Sequence, residues 1–376
     1  MGAAKTDSTL PRYMTAIVAE GPGKLAIKHN VPVPSLERGT VLVKTAAVAI
    51  NPADAKMLDY SAAPGAIHGY DFAGYIVALG EDVPSHFFVG DRVAGIAHGG
   101  NKLAPGNGAF AEYVSACADL LLKVPEHMSI EDAASLGTGL STAALSFSQL
   151  HLPAILRQLK SAGEGGEDAK SESDKSDAEF VLVAGGSTAS GTRAIQLLKS
   201  AGFRPIATCS PANYALVRRY GAEEVFDYKS PTCAADIRAY TGNELAFALD
   251  CVTQADTTQM CYQALGRAGG RYVSLEPFRD AVAQTRSHTV EPSWVMALAI
   301  FGREVALDGE YGRAADPANR EFGVEAFAAA QALMNRNLLH AHPVKAMSGG
   351  WQGVVKGVDI IRSRAQSGQK LVFSVA

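Results

Sequence analysis

Apolar and polar positions change rhythm three times along the chain. From residue 180 to about 280, short apolar runs at 180–184, 204–208, 223–227, 245–249 and 271–275 alternate with stretches that place apolar residues at i, i+3 and i+4. That alternation predicts strands and helices in turn, wound as a doubly wound parallel sheet. Residues 13–136 read differently: apolar runs such as 41–48 are broken by Pro32, Pro34, Gly39, Pro52, Gly65, Gly69 and Gly90, so this part is mainly β. From Ser129 the pattern turns helical, and 130–150 contains no proline. The tail adds helices at about 321–334 and 352–367 and a strand at 371–375. Between 161 and 177 lies a charged, Gly/Ser-rich stretch without aromatic residues. It predicts a disordered surface loop with no part in chemistry.

The first of the alternating runs leads into Gly185, Gly186, Ser187, Thr188, Ala189, Ser190 and Gly191, and then into Ala194, Ile195, Leu197 and Leu198 at helical spacing. A strand, a small-residue turn and a helix present backbone N–H groups to a phosphate. Gly186 and Gly191 fall at the first and third glycine positions of a dinucleotide fingerprint, while Thr188 holds the middle one. Turns of this kind also serve packing alone. The next strand sharpens the reading. An NAD site carries Asp or Glu at that tip for the ribose 2′-hydroxyl, whereas here the tip runs Ser210, Pro211, Ala212, Asn213 with no acid. A carboxylate would repel a 2′-phosphate, so NADP(H) is favoured over NAD(H), with Ser210 and Asn213 as candidate phosphate ligands. The alternative is a plain Ser-Pro turn.

Length and composition narrow the class. A chain of 376 residues fits two domains better than one core. A net charge of −4 with no basic, aromatic-interleaved patch speaks against nucleic acid as partner. No apolar run reaches bilayer length, and residues 1–12 lack the apolar centre of a signal peptide, so a cytoplasmic protein without membrane attachment is expected. The five cysteines are scattered without a Cys-x-x-Cys pair, which suits a reducing compartment.

Several short motifs stand in a fixed order: Asn51, Pro52, Ala53, Asp54; Gly69 to Gly74; Val89 to Val93; Gly108 to Tyr113; and the turn at 184–191. With them the chain resembles the medium-chain dehydrogenase/reductase superfamily from Met14 to Val375. The resemblance implies a GroES-like, partly open β-barrel domain at 1–137, completed by 342–376, and a Rossmann NADP-binding domain at 138–341. It also bears on metal. Zinc-dependent members carry a cysteine where Asn51 and Pro52 stand, a His-Glu pair that His68 to Asp71 matches only in part, and a cysteine lobe missing here. Three protein ligands are needed for a catalytic zinc, so no metal is expected. Zinc-lacking members reduce activated double bonds.

A narrower likeness rests on Gly99 to Tyr113, Gly137 to Ala144, Ser187 to Ser190, Ser210 to Asn213, Gly221 to Tyr228 and Leu275 to Phe278. These resemble the fungal trans-acting enoyl reductases. The implied activity is NADPH-dependent hydride transfer to the α,β-double bond of an acyl chain on the acyl carrier protein of a polyketide synthase or synthase–peptide synthetase hybrid, in secondary metabolism. The resemblance places Ser187, Thr188, Ala189 and Ser190 at the cofactor phosphates, Ser210, Pro211, Ala212 and Asn213 at the 2′-phosphate, and Tyr228 by the adenosine end. It puts Leu275 and Glu276 at a strand end in the cofactor crevice, and Asn51, Pro52, Ala53 and Asp54 on a loop facing the nicotinamide. Lys56 is the candidate catalytic residue, as proton donor or polarising cation; a plain helix-start lysine is the other reading. An apolar slot for the acyl chain is expected along Thr138, Gly139, Leu140, Ser141, Thr142, Ala143, Ala144 and Leu145. A second wall is expected at Met296, Leu298, Ala299 and Ile300. The trans-acting group implies a monomer, with a homodimer through an edge strand as the alternative. A quinone or enone reductase acting on free small molecules, and a non-catalytic cofactor-binding member, are the competing functions.

Overall fold

The computed structural model describes residues 10–165, 178–363 and 366–375. They form two compact units: Met1–Gly139 with Phe301–Phe327 and Ala341–Ala376, and Leu140–Ile300 with Ala328–His340.

In the first unit, β1 (Tyr13–Gly21) and β2 (Lys24–Pro32) make an antiparallel hairpin. Gly23 turns it with φ +72°, a left-handed value that glycine adopts without penalty. The remaining strands are β3 (Thr40–Ala49), β4 (Asp71–Leu79), β5 (Arg92–Ile96), β6 (Tyr113–Cys117), β7 (Leu121–Lys123), β14 (Val344–Met347) and β15 (Lys370–Ser374). They form one sheet in the order β14-β15-β3-β4-β5-β7, with β6 also on β3. Strand β3 explains the central place it holds: of its residues only Lys44 is exposed, so both faces are covered. Val41, Val43, Phe72, Ile76, Val93, Phe110 and Val114 form the core with Val354, Val358 and Phe373 from the C-terminal segment. Helix α1 (Pro52–Tyr60) opens with proline in its first turn, where a missing N–H costs no bond.

The second unit carries a six-stranded parallel sheet. Its strands are β8 (Phe180–Ala184), β9 (Arg204–Cys209), β10 (Glu224–Asp227), β11 (Phe247–Asp250), β12 (Gly270–Ser274) and β13 (Val290–Trp294). They lie in the order β10-β9-β8-β11-β12-β13. Strand order reverses between β8 and β11, and in such sheets ligands bind at the carboxyl ends of strands beside that reversal. Helices α5 (Ala189–Ser200), α6 (Tyr214–Arg219), α7 (Cys233–Tyr240) and α8 (Ala255–Ala264) connect the strands. In α5 the face of Ala194, Ile195, Leu197 and Leu198 is buried, as the spacing requires.

Three expectations need adjustment. The resemblance implies a nucleotide domain that includes 301–327; by contacts this segment clusters with the first unit. Long-range side-chain ties hold it there: Ser61 Oγ donates to Asp308 at 2.9 Å, Lys102 reaches Asp308 at 2.7 Å, and Arg320 pairs with Asp119. The helical stretch after Ser129 is two helices, α2 (Ile130–Ala134) and α3 (Gly137–Leu150). Of the expected loop at 161–177, residues 161–164 finish helix α4 (Ile155–Glu164), and 166–177 lie outside the described residues.

Candidate active site

In the second unit the turn after β8 is built by small residues for steric reasons. Gly185 takes φ +78°, and a Cβ there would lie 2.6 Å from Val252 Cγ2. At Gly186 it would lie 2.7 Å from Ala207 Cβ, and at Gly191 only 2.4 Å from the Gly185 carbonyl oxygen. So the left-handed position is Gly185, one residue before the fingerprint glycine, and Gly191 lets the helix close onto the turn. Thr188, in the place of the middle glycine, is the N-cap of α5. Its Oγ1 accepts the Gly191 N–H at 3.0 Å and donates to the Gly185 carbonyl at 2.9 Å. The N–H groups of Ala189 and Ser190, first in the helix, have no acceptor within it. They and the hydroxyls of half-buried Ser187 and Ser190 offer donors to an anion at the positive end of the helix.

The tip of β9 bears no carboxylate. Asn213 Nδ2 donates to Ser210 Oγ at 3.1 Å, and Asn213 N–H to the Ser210 carbonyl at 2.9 Å; Pro211 and Ala212 are exposed. Tyr228 leaves β10 with its ring exposed and Lys229 Nζ 5.8 Å from its centroid. Leu275 and Glu276, both half-buried, follow β12. The Leu275 N–H reaches Thr253 Oγ1 at 3.2 Å, and the Glu276 carbonyl accepts from Ser274 Oγ at 2.7 Å.

One residue of this site has no place in the sequence reading. Asp250, fully buried at the end of β11, accepts from the N–H groups of Val252 at 3.0 Å and Thr253 at 2.9 Å. Its other oxygen accepts from Thr257 Oγ1 at 3.0 Å and the Tyr272 hydroxyl at 2.9 Å. Burial raises its pKa against these four donors. The loop it fixes supplies Val252, which packs against Gly185 in the turn after β8, and Cys251, whose N–H donates to the Ala184 carbonyl at 2.9 Å. An aspartate closing an apolar run was the available signal, since such residues fold the chain back on their own side chains.

In the first unit the expected loop residues open α1. Asn51 is its N-cap and is buried; Pro52 is exposed and Ala53 half-buried. The Asp54 carboxylate accepts the Asn51 N–H at 2.6 Å through Oδ2, while Oδ1 has no partner among the described residues. Burial pushes this carboxyl up to about 8, opposed by the Asn51 N–H and helped by the nearby Asp71 charge. His68 Nε2 lies 2.7 Å from the Asp54 carbonyl oxygen, so Nε2 carries the proton; burial lowers the imidazole to about 4. Lys56 is half-buried, and its ammonium stands 4.8 Å from the centre of the Tyr311 ring, which is edge-on to Tyr60.

The Asn51 side chain turns inward. Its Nδ2 donates to Asp71 Oδ2 at 3.0 Å, and its Oδ1 accepts from Lys370 Nζ at 2.8 Å. Lys370 also pairs with Asp71, and both are buried. Asp71 Oδ1 accepts from the N–H of Thr138 at 2.6 Å and from its hydroxyl at 2.7 Å. An ammonium therefore occupies the centre of the buried acid–amide cluster built around Asn51, a donor set that does not fit zinc. Among the described residues no group of three His, Cys, Asp or Glu is disposed to hold a metal.

The expected acyl-chain positions are placed as follows. Thr138 and Gly139 start α3 in the first unit; Leu140, Ser141, Thr142, Ala143, Ala144 and Leu145 continue it in the second, all buried. Met296 and Ala299 are half-buried beside a 3₁₀ turn, Ala297–Phe301, while Leu298 and Ile300 are buried.

Comparison with known proteins agrees with this architecture. Residues 37–126 match the alcohol dehydrogenase GroES-like domain, and 189–284 match the family described as zinc-binding dehydrogenase. The chain belongs to the medium-chain dehydrogenase/reductase family. Within it, the chain falls with the fungal trans-enoyl reductases. It is 62% identical to a trans-enoyl reductase of Aspergillus niger over 97% of this chain and 98% of that one. It is 60% identical to a trans-enoyl reductase of Penicillium crustosum over the same shares. Among solved structures, the mycobacterial Rv1454c protein complexed with NADPH shares the fold: TM-score 0.65 and 22% identity, over 96% of this chain and 99% of that one.

Proposed function

We propose that this protein is an NADPH-dependent enoyl reductase that acts in trans on an α,β-unsaturated acyl thioester. We assign the thioester to the acyl carrier protein of a polyketide synthase or synthase–peptide synthetase hybrid. The observation that carries the reading is the strand–turn–helix at 180–200, with Thr188 as cap, followed by a β9 tip without a carboxylate. The relatives at 62% and 60% identity are trans-enoyl reductases over nearly their whole length, which supports the reaction class.

Bound NADPH would supply the hydride that adds at Cβ of the enoyl group. The chain's own residues then have four tasks. Ala189, Ser190 and the hydroxyls of Ser187 and Ser190 hold the pyrophosphate at the start of α5. Ser210 and Asn213 donate to the 2′-phosphate, with Tyr228 beside it. Asn51, Pro52, Ala53 and Asp54 fix the loop at the nicotinamide end, and Leu275 and Glu276 close the crevice from β12. The Lys56 ammonium polarises the thioester oxygen as charge moves onto it and holds the proton that goes to Cα. Thr138, Gly139, Leu140, Ser141, Thr142, Ala143, Ala144 and Leu145, and separately Met296, Leu298, Ala299 and Ile300, are the positions we assign to the acyl chain; of these Thr138, Met296 and Ala299 are half-buried and the others buried.

We infer a cytoplasmic monomer. No helix among the described residues is long and apolar enough to cross a membrane. In β13 the Thr289 carbonyl and the Val295 N–H bond to β12, so by alternation Pro292 faces the open edge, where it offers no donor to a second copy.

Steady-state assays with enoyl-pantetheine or carrier-bound thioesters against simple quinones test the reading. Thioesters should be reduced with NADPH and quinones poorly; the reverse order would favour a quinone reductase.

A further inference from the structure

The residue argued to face the nicotinamide end, Asn51, is an N-cap whose side chain shares a capping box with Asp54 and also reaches beyond its helix. Both ends of its amide are engaged: Nδ2 with Asp71 at 3.0 Å and Oδ1 with Lys370 at 2.8 Å. The ion pair that engages them is buried, Lys370 at 4% exposure and Asp71 at 0%. A pair so far from water stabilises little on its own, because desolvation offsets most of the attraction, but removing one partner leaves an uncompensated charge. Its effect here is geometric. Asp71 spends one oxygen on Thr138 and the other on Asn51 and Lys370, so the starts of α1, β4, α3 and β15 are tied at one point.

We propose that Lys370 is a positioning residue for hydride transfer: through Asp71 and Asn51 it orients the start of α1, and with it the nicotinamide-end loop and Lys56. The inference rests on the enoyl reductase reading. Lys370 offers a charge at a fixed point and three donors, which reach Asn51, Asp71 and, at 3.5 Å, the Ser135 carbonyl; methionine keeps the length and loses charge and donors. An arginine keeps the charge and the donors.

The test is a double-mutant cycle on the full-length protein, read by NADPH fluorescence titration and by the single-turnover rate of hydride transfer to an enoyl-pantetheine thioester. Lys370→Met should lower the transfer rate about tenfold or more, since a small displacement of a reacting group costs that much. It should leave the preference for NADPH over NADH unchanged, because the β9 tip is untouched. Lys370→Arg should recover most of the rate. Lys370→Met should cost nothing further in an Asn51→Ala background, as residues acting in series are not additive. A thermal melt reports folding; should Lys370→Met not fold, Asp71→Asn/Lys370→Met removes both charges together and enters the same cycle. Wild-type rates in Lys370→Met, or losses that add to those of Asn51→Ala, would overturn the proposal while the functional reading stands. Failure of the wild-type chain to bind NADPH would overturn both.

Discussion

Thr188 Oγ1 accepts the Gly191 N–H at 3.0 Å, and in doing so closes the turn at the head of α5. The cap consumes the third N–H of the helix and leaves the first two, of Ala189 and Ser190, for an anion. Thr188→Ala should lower stability by about 1 kcal/mol, the usual cost of an N-cap, and weaken NADPH binding; Thr188→Ser should keep both. Urea midpoints and fluorescence titration measure the two effects. Equal NADPH affinity in Thr188→Ala would separate the cap from the cofactor.

Cofactor choice is tested at the β9 tip. Ser210→Asp sets a carboxylate where the 2′-phosphate is assigned, so affinity for NADPH should fall far more than affinity for NADH. An equal loss for both would remove Ser210 and Asn213 from the phosphate site.

Asp250 predicts a structural loss with a functional reach. Asp250→Ala leaves the Val252 and Thr253 N–H groups, Thr257 and Tyr272 without the acceptor they share. The Thr257 and Tyr272 hydroxyls keep the Gln254 carbonyl and the Thr258 hydroxyl as partners, while a buried donor left with no acceptor costs about 1–3 kcal/mol. The urea midpoint should drop sharply and NADPH binding should weaken with it. A variant of near wild-type stability would mean that other donors and acceptors satisfy this loop.

How much of this was readable beforehand follows from where each signal lies. The first five strands of the parallel sheet announced themselves because each β-α repeat is local; β13 and the order β10-β9-β8-β11-β12-β13 carry no such local signal. The strand–turn–helix at 180–200 was legible because it too is local, although the left-handed glycine is Gly185 and not Gly186. The Lys370–Asp71 pair was not, since the partners stand 299 positions apart and neither carries a local pattern. The segment 301–327 was misplaced for a like cause: Asp308, Tyr311 and Arg320 are held by Ser61, Tyr60 and Asp119, contacts that periodicity does not encode. Lys56 read as a plain helix-start lysine or an active one; its place over the Tyr311 ring is a long-range contact that the local pattern does not carry.

Buried Asp54 and His68 and half-buried His98 set a pH signature. In the folded chain the Asp54 carboxyl is pushed up to about 8 from 3.8, while His68 and His98 are lowered by burial to about 4 from 6.5. From pH 4 to 6.5 the unfolded chain binds two more protons at the imidazoles and one fewer at the carboxyl, so stability from these groups rises with pH. From 6.5 to 8 only Asp54 still titrates; the folded state binds the extra proton, and stability falls by about 1.4 kcal/mol per pH unit. Urea melts from pH 5 to 8.5 should show a maximum near 6.5 in this contribution. Asp54→Asn should abolish the alkaline fall and steepen the acid rise. Persistence of that fall in Asp54→Asn would assign it to another group.

The most direct test mixes the protein with NADPH deuterated at the transferred position and an enoyl-pantetheine thioester, and follows absorbance at the nicotinamide band through one turnover. The account predicts NADPH consumption with deuterium at Cβ of the saturated product, and a slower rate in Lys56→Met with NADPH affinity nearly unchanged. Deuterium absent from Cβ, or no oxidation of NADPH by any enoyl thioester, would contradict it.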